Sequence, residues 1–148
     1  MKHKSTAMKK FFLPILIIAS FISCSHTQTQ NTNTAQAAPA QGIVLLKPQE
    51  FNNMMQSKPG ILLDVRTPGE YKKGFIKGAR LLDIFSDEFD MELAKLDKTK
   101  TYYVYCASGG RSDECAQKML TMGFTNIYDL DGGFSQWKNF SLPFEMPK

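Results

Sequence analysis

Cys106 ends the run "TYYVYC" and is followed by four small residues, Ala107, Ser108, Gly109 and Gly110, then by Arg111 and Ser112. A backbone of that composition can curl tightly around a sulfur atom, and two glycines allow positive φ angles without a Cβ clash. A curled loop that turns its N–H groups inward is an anion nest, reinforced by the positive end of a following helix. Such a field favours the thiolate, which is the nucleophilic form of cysteine. Arg111 adds a permanent positive charge at the loop's far end. It could bind an anionic substrate or hold the loop through a carboxylate, and the sequence leaves both roles open. Cys106 and Arg111 are therefore the candidate catalytic residues, with residues 107–110 and Ser112 as candidate substrate contacts.

The elements around this loop decide where it sits. "GIVLL" is a short apolar run, and "KPQEFNNMMQ" follows with Pro48 suited to a first helical turn. "ILLDVR" is a continuous apolar strand ending in charge, and "TPGEYKKG" a loop with a short helical turn. "ARLLDI" fits another strand, and "SDEFDMELAKL" a helix with Ser86 as N-cap. "TYYVYC" is rich in aromatic and β-branched residues, and from Ser112 a helical pattern runs to Met122, stopped by Gly123. "NIYDL" is a last strand, followed by a short helix in "GGFSQWKNF" and a polar tail. Strands alternating with helices predict an α/β fold, a parallel sheet covered on both faces. In such sheets ligands bind beyond the carboxyl ends of the strands. Asp64 and Arg66 land there after one strand and Cys106 after another. Asp64, Arg66 and Glu70 are expected to be supporting, mainly structural charges. Cys115, with Ala116, Met119 and Leu120, lies on an apolar helix face and is expected to be buried, as is Trp137.

Three motifs in order carry a family resemblance over roughly residues 43–148. "YCASGGRS" resembles the active-site loop of the rhodanese family of sulfurtransferases, with Cys, four residues, Arg and often Ser. "LLDVRTPGEYKKGFIKGARLLDI" is similar to the family's Asp-Val-Arg, Glu-Tyr, Gly-x-Ile and Gly-Ala stretch. "LDGGFSQWKNFSLPFE" is similar to its closing Gly-Gly-x-x-x-Trp and Leu-Pro. Phe75 stands where many members carry His, and Lys77 where they often carry Pro. The resemblance implies a central parallel β-sheet flanked by helices and a sulfurtransferase needing no cofactor. Cys106 thiolate would attack the outer sulfur of a donor such as thiosulfate, releasing sulfite and leaving a persulfide. That persulfide would lie among the N–H groups of residues 107–111 with Ser112 in reach, until a thiol or cyanide acceptor takes the sulfur. The alternatives are a non-catalytic rhodanese-like binding or persulfide-sensing module, and a Cys-dependent phosphatase or arsenate reductase. Loops of the latter kind typically place five residues between Cys and Arg; here there are four.

Composition excludes several other classes. Lys2, Lys4, Lys9 and Lys10 are the only charged residues before position 24, and without them 14 basic residues face 14 acidic ones. No basic stripe remains to follow a nucleic-acid backbone. No metal site is expected, since Cys106 and Cys115 have eight residues between them and His3 and His26 lie outside the domain. A domain without histidine also has no Cys–His protease pair. The basic start and the apolar residues 11–22, too few to span a bilayer as a helix, form a secretory signal pattern. "SFISCS" resembles the lipobox of bacterial lipoproteins, although Phe21 and Ile22 depart from it. The expected organisation is a signal over 1–23, a lipidated Cys24 with a polar tether to residue 42, and the domain over 43–148. The mature chain would be a monomer held by its N-terminal lipid at a membrane, exported and facing the periplasm.

Overall fold

In the computed structural model the described residues are 42–147, so the expected signal segment, Cys24 and nearly all of the tether lie outside them. The chain forms β1 (Gly42–Leu46), α1 (Pro48–Ser57), β2 (Ile61–Asp64), α2 (Pro68–Tyr71) and β3 (Arg80–Leu81). It continues through α3 (Phe89–Ala94), β4 (Thr101–Tyr105), α4 (Gly110–Thr121), β5 (Asn126–Leu130) and α5 (Gly133–Asn139). The five strands form one sheet in the order β1-β5-β4-β2-β3, and every pairing is parallel. This is the expected α/β architecture.

Strand residues alternate between two cores because side chains along a strand point to opposite faces. Leu63, Val65, Tyr102, Val104, Cys106 and Ile127 pack with Phe89, Leu93, Cys115, Ala116 and Met119, which seats α3 and α4 on one face. Leu62, Tyr103, Tyr105, Tyr128 and Leu130 pack with Phe51, Phe134 and Trp137, which seats α1 and α5 on the other. Both faces of the central strands are buried, which explains why they are apolar along their length. Trp137 is fully in the core, and its indole N–H donates to the Pro143 carbonyl at 3.0 Å.

Four local expectations are corrected. Ser86 does not cap α3: its hydroxyl accepts from the Glu88 N–H in a preceding turn, and the helix begins at Phe89. Helix α4 begins at Gly110 rather than Ser112, with Gly109 at φ 107° as the last residue of the turn that leads into it. Leu120 is 41% exposed, so the buried face of α4 is narrower than its apolar pattern. The tail is not simply polar: Phe144 packs edge-on against Phe134, and Glu145 exchanges two backbone hydrogen bonds with Phe75. Phe75 itself stacks on Tyr71 at 4.2 Å, an apolar job that imidazole is not needed for.

The sheet order places the site. From β2 the chain moves outward to β3, and from β4 it moves outward to β5 in the opposite direction. The strand order therefore reverses between β2 and β4, where a crevice opens beyond the carboxyl ends. Asp64 at the end of β2 is paired with Tyr105 at the end of β4. Cys106 and the Asp64–Arg66 segment are thus neighbours across that crevice.

Candidate active site

Cys106 is the residue directly after β4, and it is 1% exposed on the α4 side of the sheet. Its Sγ accepts the Gly109 N–H at 3.1 Å. The loop that curls over it is fixed from behind by α5: the Phe134 N–H donates to the Cys106 carbonyl at 2.8 Å and the Ser135 N–H to the Ala107 carbonyl at 3.0 Å. A trans peptide points its N–H opposite to its C=O. Pinning those two carbonyls onto α5 therefore turns the N–H groups of Ala107 and Ser108 away from α5, into the loop. The sequence suggested an anion nest; α5 is what orients it.

Gly133 makes this contact possible. A Cβ there would lie 2.5 Å from the Cys106 carbonyl oxygen and 2.8 Å from backbone atoms of Ala107 and Ser108, and its φ is +57°. In the sequence Gly132 and Gly133 stood only as part of a closing family motif and of a short helix. Their role is to let the helix backbone meet the loop backbone.

Arg111 lies in the first turn of α4, and both its terminal nitrogens donate to Glu70, at 2.8 and 2.7 Å. Of the two roles left open, the described conformation displays the carboxylate partner. Glu70 is aimed by a capping box on α2, in which its Oε2 also accepts from the Thr67 N–H and hydroxyl. Hydrogen bonding to Arg111, helped by Thr67, lowers the Glu70 carboxyl to about 2. The pair therefore stays charged on both sides at any ordinary pH. Phe85, 68% exposed, has its ring centroid 5.6 Å from the Arg111 guanidinium and forms an aromatic lip beside it. It carried no sequence signal, being one more phenylalanine in a loop.

Asp64 and Arg66 are fully buried together. The Arg66 Nε donates to Asp64 Oδ1 at 2.8 Å, its Nη2 donates to the Gly74 carbonyl at 2.8 Å, and its guanidinium lies 4.3 Å from the Phe134 ring centroid. They brace β2 against α5, a structural task. Ser112 is buried, and its hydroxyl donates to the Gly109 carbonyl at 2.9 Å, which closes the loop onto α4. Ser108, Gly109 and Gly110 form the outer wall of the loop. Cys115 is buried in the core and pushed up to about 12, chiefly by desolvation, so it holds its proton at neutral pH. Among the described residues no group of three His, Cys, Asp or Glu is arranged to hold a metal ion.

Two hollows flank the loop with opposite character. One, of about 180 Å³, is bordered by Arg66, Glu70, Lys73, Ala107, Phe134, Ser135 and Lys138, and neither lysine has an ion-pair partner among the described residues. The other, of about 220 Å³, lies against residues 108–110 and is lined by Asp113, Asp129 and Asp131. None of these lysines or aspartates stood out in the sequence. Asp129 had the clearest available signal, sharing a strand face with the apolar Ile127.

The family model for the rhodanese-like domain matches residues 47–140. The thiosulfate sulfurtransferase GlpE of Stutzerimonas stutzeri is 33% identical over 92 residues, covering 62% of this chain and 83% of that protein. The tRNA uridine(34) hydroxylase of Hamiltonella defensa is 29% identical over 113 residues, covering 74% of this chain but only 32% of the hydroxylase. The crystal structure of a rhodanese-like domain protein from Staphylococcus aureus superposes with a TM-score of 0.60 at 28% identity, covering 70% of this chain and 98% of that one. With the family match spanning most of the described residues, and the loop, sheet order and closing helix in agreement, the chain belongs to the rhodanese-like family.

Proposed function

We propose that this domain is a sulfurtransferase that moves sulfane sulfur from a donor such as thiosulfate to a thiol or cyanide through a persulfide on Cys106. The observation that carries this reading is the Gly109 N–H donated to Cys106 Sγ, inside a loop whose Cys106 and Ala107 carbonyls are held outward by α5. Such an arrangement stabilises negative charge on sulfur, in the thiolate before transfer and in the persulfide after it. In the first step the Cys106 thiolate attacks the outer sulfur of thiosulfate. A new S–S bond forms, the old one breaks, and sulfite leaves with its electron pair. In the second step cyanide or a thiolate attacks the outer sulfur of the persulfide and restores the Cys106 thiolate. The near-buried sulfur shelters the persulfide from water, and Lys73 and Lys138 border the approach with positive charge suited to an anionic donor. The similarity to GlpE supports the same donor class.

Purified domain incubated with thiosulfate should gain one sulfur atom in intact mass, and cyanide should remove it as thiocyanate. A domain that gains no sulfur from thiosulfate, mercaptopyruvate or a protein persulfide is instead a binding module. Faster hydrolysis of aryl phosphates than sulfur transfer would favour the phosphatase alternative.

The anchor belongs to the same proposal: a lipidated Cys24 would hold a monomeric domain on a tether at a membrane outside the cytoplasm. The basic start, the apolar stretch and Ser23 before Cys24 support it. Cells fed an alkyne fatty acid should yield a labelled protein in the membrane fraction, with the label lost in Cys24→Ala. An unlabelled soluble wild-type protein would sink the anchor reading and leave the sulfur chemistry untouched.

A further inference from the structure

Phe85 is the most exposed large apolar side chain among the described residues. A lone exposed phenylalanine needs no explanation, but this one is held in a fixed place at the mouth of the site. Its N–H donates to Asp83 Oδ1 at 3.0 Å, and the Ser86 N–H donates to the Asp83 carbonyl at 3.1 Å, so the turn that carries it has a defined shape. That turn is tied to the end of β2, where the Leu82 N–H donates to the Asp64 carbonyl at 2.9 Å. Ile84 packs inward against the core, which leaves the next side chain pointing out. The Phe85 ring centroid then lies 5.6 Å from the central carbon of the Arg111 guanidinium, within cation–π range.

Arg111 is thus gripped twice. Glu70 accepts one N–H from each of its terminal nitrogens, and the capping box on α2 fixes Glu70 in turn. A guanidinium carries five N–H donors, so with two spent on Glu70 three are left for another acceptor. The group also stands near the reacting sulfur: Glu70 chiefly, and Cys106 to a smaller extent, raise Arg111 above its ordinary value against the opposing effect of burial. We infer that Phe85 and Glu70 are positioning residues, holding the Arg111 guanidinium by one face and one edge so that its unspent donors meet the oxyanion of the sulfur donor. This rests on the persulfide reading of Cys106 and adds the feature that selects the donor. A planar fork matches two oxygens of one oxyanion, and fixing it beforehand removes the cost of ordering a long side chain at binding. The charge that passes to the departing group then develops against a cation already in place. The class favoured is a donor whose transferable sulfur lies next to an oxyanion, over a neutral persulfide. Both roles that the sequence left open for Arg111 are filled at once: the carboxylate sets the geometry and the remaining N–H groups meet the donor.

The test compares alkylation of Cys106 by iodoacetate and by iodoacetamide, two reagents of similar size that differ in charge. Rates are followed on the Cys106 peptide by mass spectrometry, with the purified full chain at low ionic strength. The ratio of the two rates reads the positive field at the mouth and cancels changes in the sulfur's own reactivity. Phe85→Leu changes no charge and alters an exposed side chain, so the fold should be kept. Its iodoacetate-to-iodoacetamide ratio should fall about two- to fivefold, the worth of an exposed cation–π contact. Phe85→Tyr should restore the ratio. Glu70→Gln keeps a residue able to complete the capping box. Loss of its negative charge alone would raise the ratio, so the expected fall reports that Arg111 has left its place. With thiosulfate as donor, KM should rise by the same factor in Phe85→Leu while kcat changes less. A ratio unchanged in Phe85→Leu, or raised in Glu70→Gln, would overturn the inference. A drop of kcat in Phe85→Leu at unchanged KM would overturn it too, since that marks a merely structural role. Alkylation requires no sulfur transfer, so these outcomes stand apart from any failure of persulfide formation.

Discussion

Replacing Cys106 by serine should reduce sulfur loading from one atom per chain to none, with thiocyanate production falling to the level of a protein-free control. A hydroxyl in the same cradle cannot carry sulfane sulfur, so no residual turnover through the persulfide is available. Folding should survive, since the two side chains are close in size and the loop is held by backbone contacts to α5 rather than by the sulfur. Cys115→Ser is the discriminating companion. That thiol is fully buried, which pushes it up to about 12 and keeps a sulfur donor from reaching it. Cys115→Ser should load sulfur fully, with a modest loss of stability from a hydroxyl placed in the core. Loading that persists in Cys106→Ser, by intact mass after donor removal, would mean that the persulfide forms elsewhere.

Gly133→Ala should be the most damaging single-methyl change in the domain. The added Cβ would meet the Cys106 carbonyl oxygen at 2.5 Å, and backbone cannot swing aside as a side chain can. The residue also sits at φ +57°, a left-handed conformation costing alanine about 1–2 kcal/mol. Overpacking adds about 1–3 kcal/mol. Together these should lower Tm by on the order of 10 °C or more for a domain of this size. Relief would come from α5 drawing back, which lengthens the bonds from Phe134 and Ser135 and lets the loop N–H groups rotate. A displacement near 1 Å at the reacting group can cost roughly a hundredfold in rate. Gly123→Ala is the control: its φ is also positive, at +90°, but the added atom meets nothing within 4 Å. Differential scanning calorimetry and a thiocyanate assay on both variants check this. Equal Tm losses for the two would show that the loop contact at Gly133 is not the cause.

The positions of Cys106, Asp64 and Arg66 were legible because they depend on one rule, that sites in parallel sheets lie beyond strand ends, and on apolar runs that marked β2 and β4 clearly. The burial of Cys115 followed from periodicity. The details that organise the site were not legible, for physical reasons. The contact of Gly133 with Cys106 joins backbones far apart in the chain, and a glycine announces freedom of φ but not what it approaches. The hold of Glu70 on Arg111 depends on where a capping box aims a carboxylate, which spacing alone cannot give. Asp129 lay in a strand already recognised, and its alternation with Ile127 implied burial. Its place beside Asp113 and Asp131 depends on where α4 meets the end of β5.

The hold of α5 on the loop has a consequence for how the protein is made. The two donors come from residues more than twenty positions downstream of Cys106. During synthesis the thiol therefore leaves the ribosome well before the helix that shapes its surroundings, and domains fold as such units emerge. A nascent chain stalled after β4 carries a sulfhydryl with no oriented amides around it. The chemistry proposed for Cys106 therefore requires the closing helix to be made and docked, so that a chain truncated before α5 should carry an ordinary thiol.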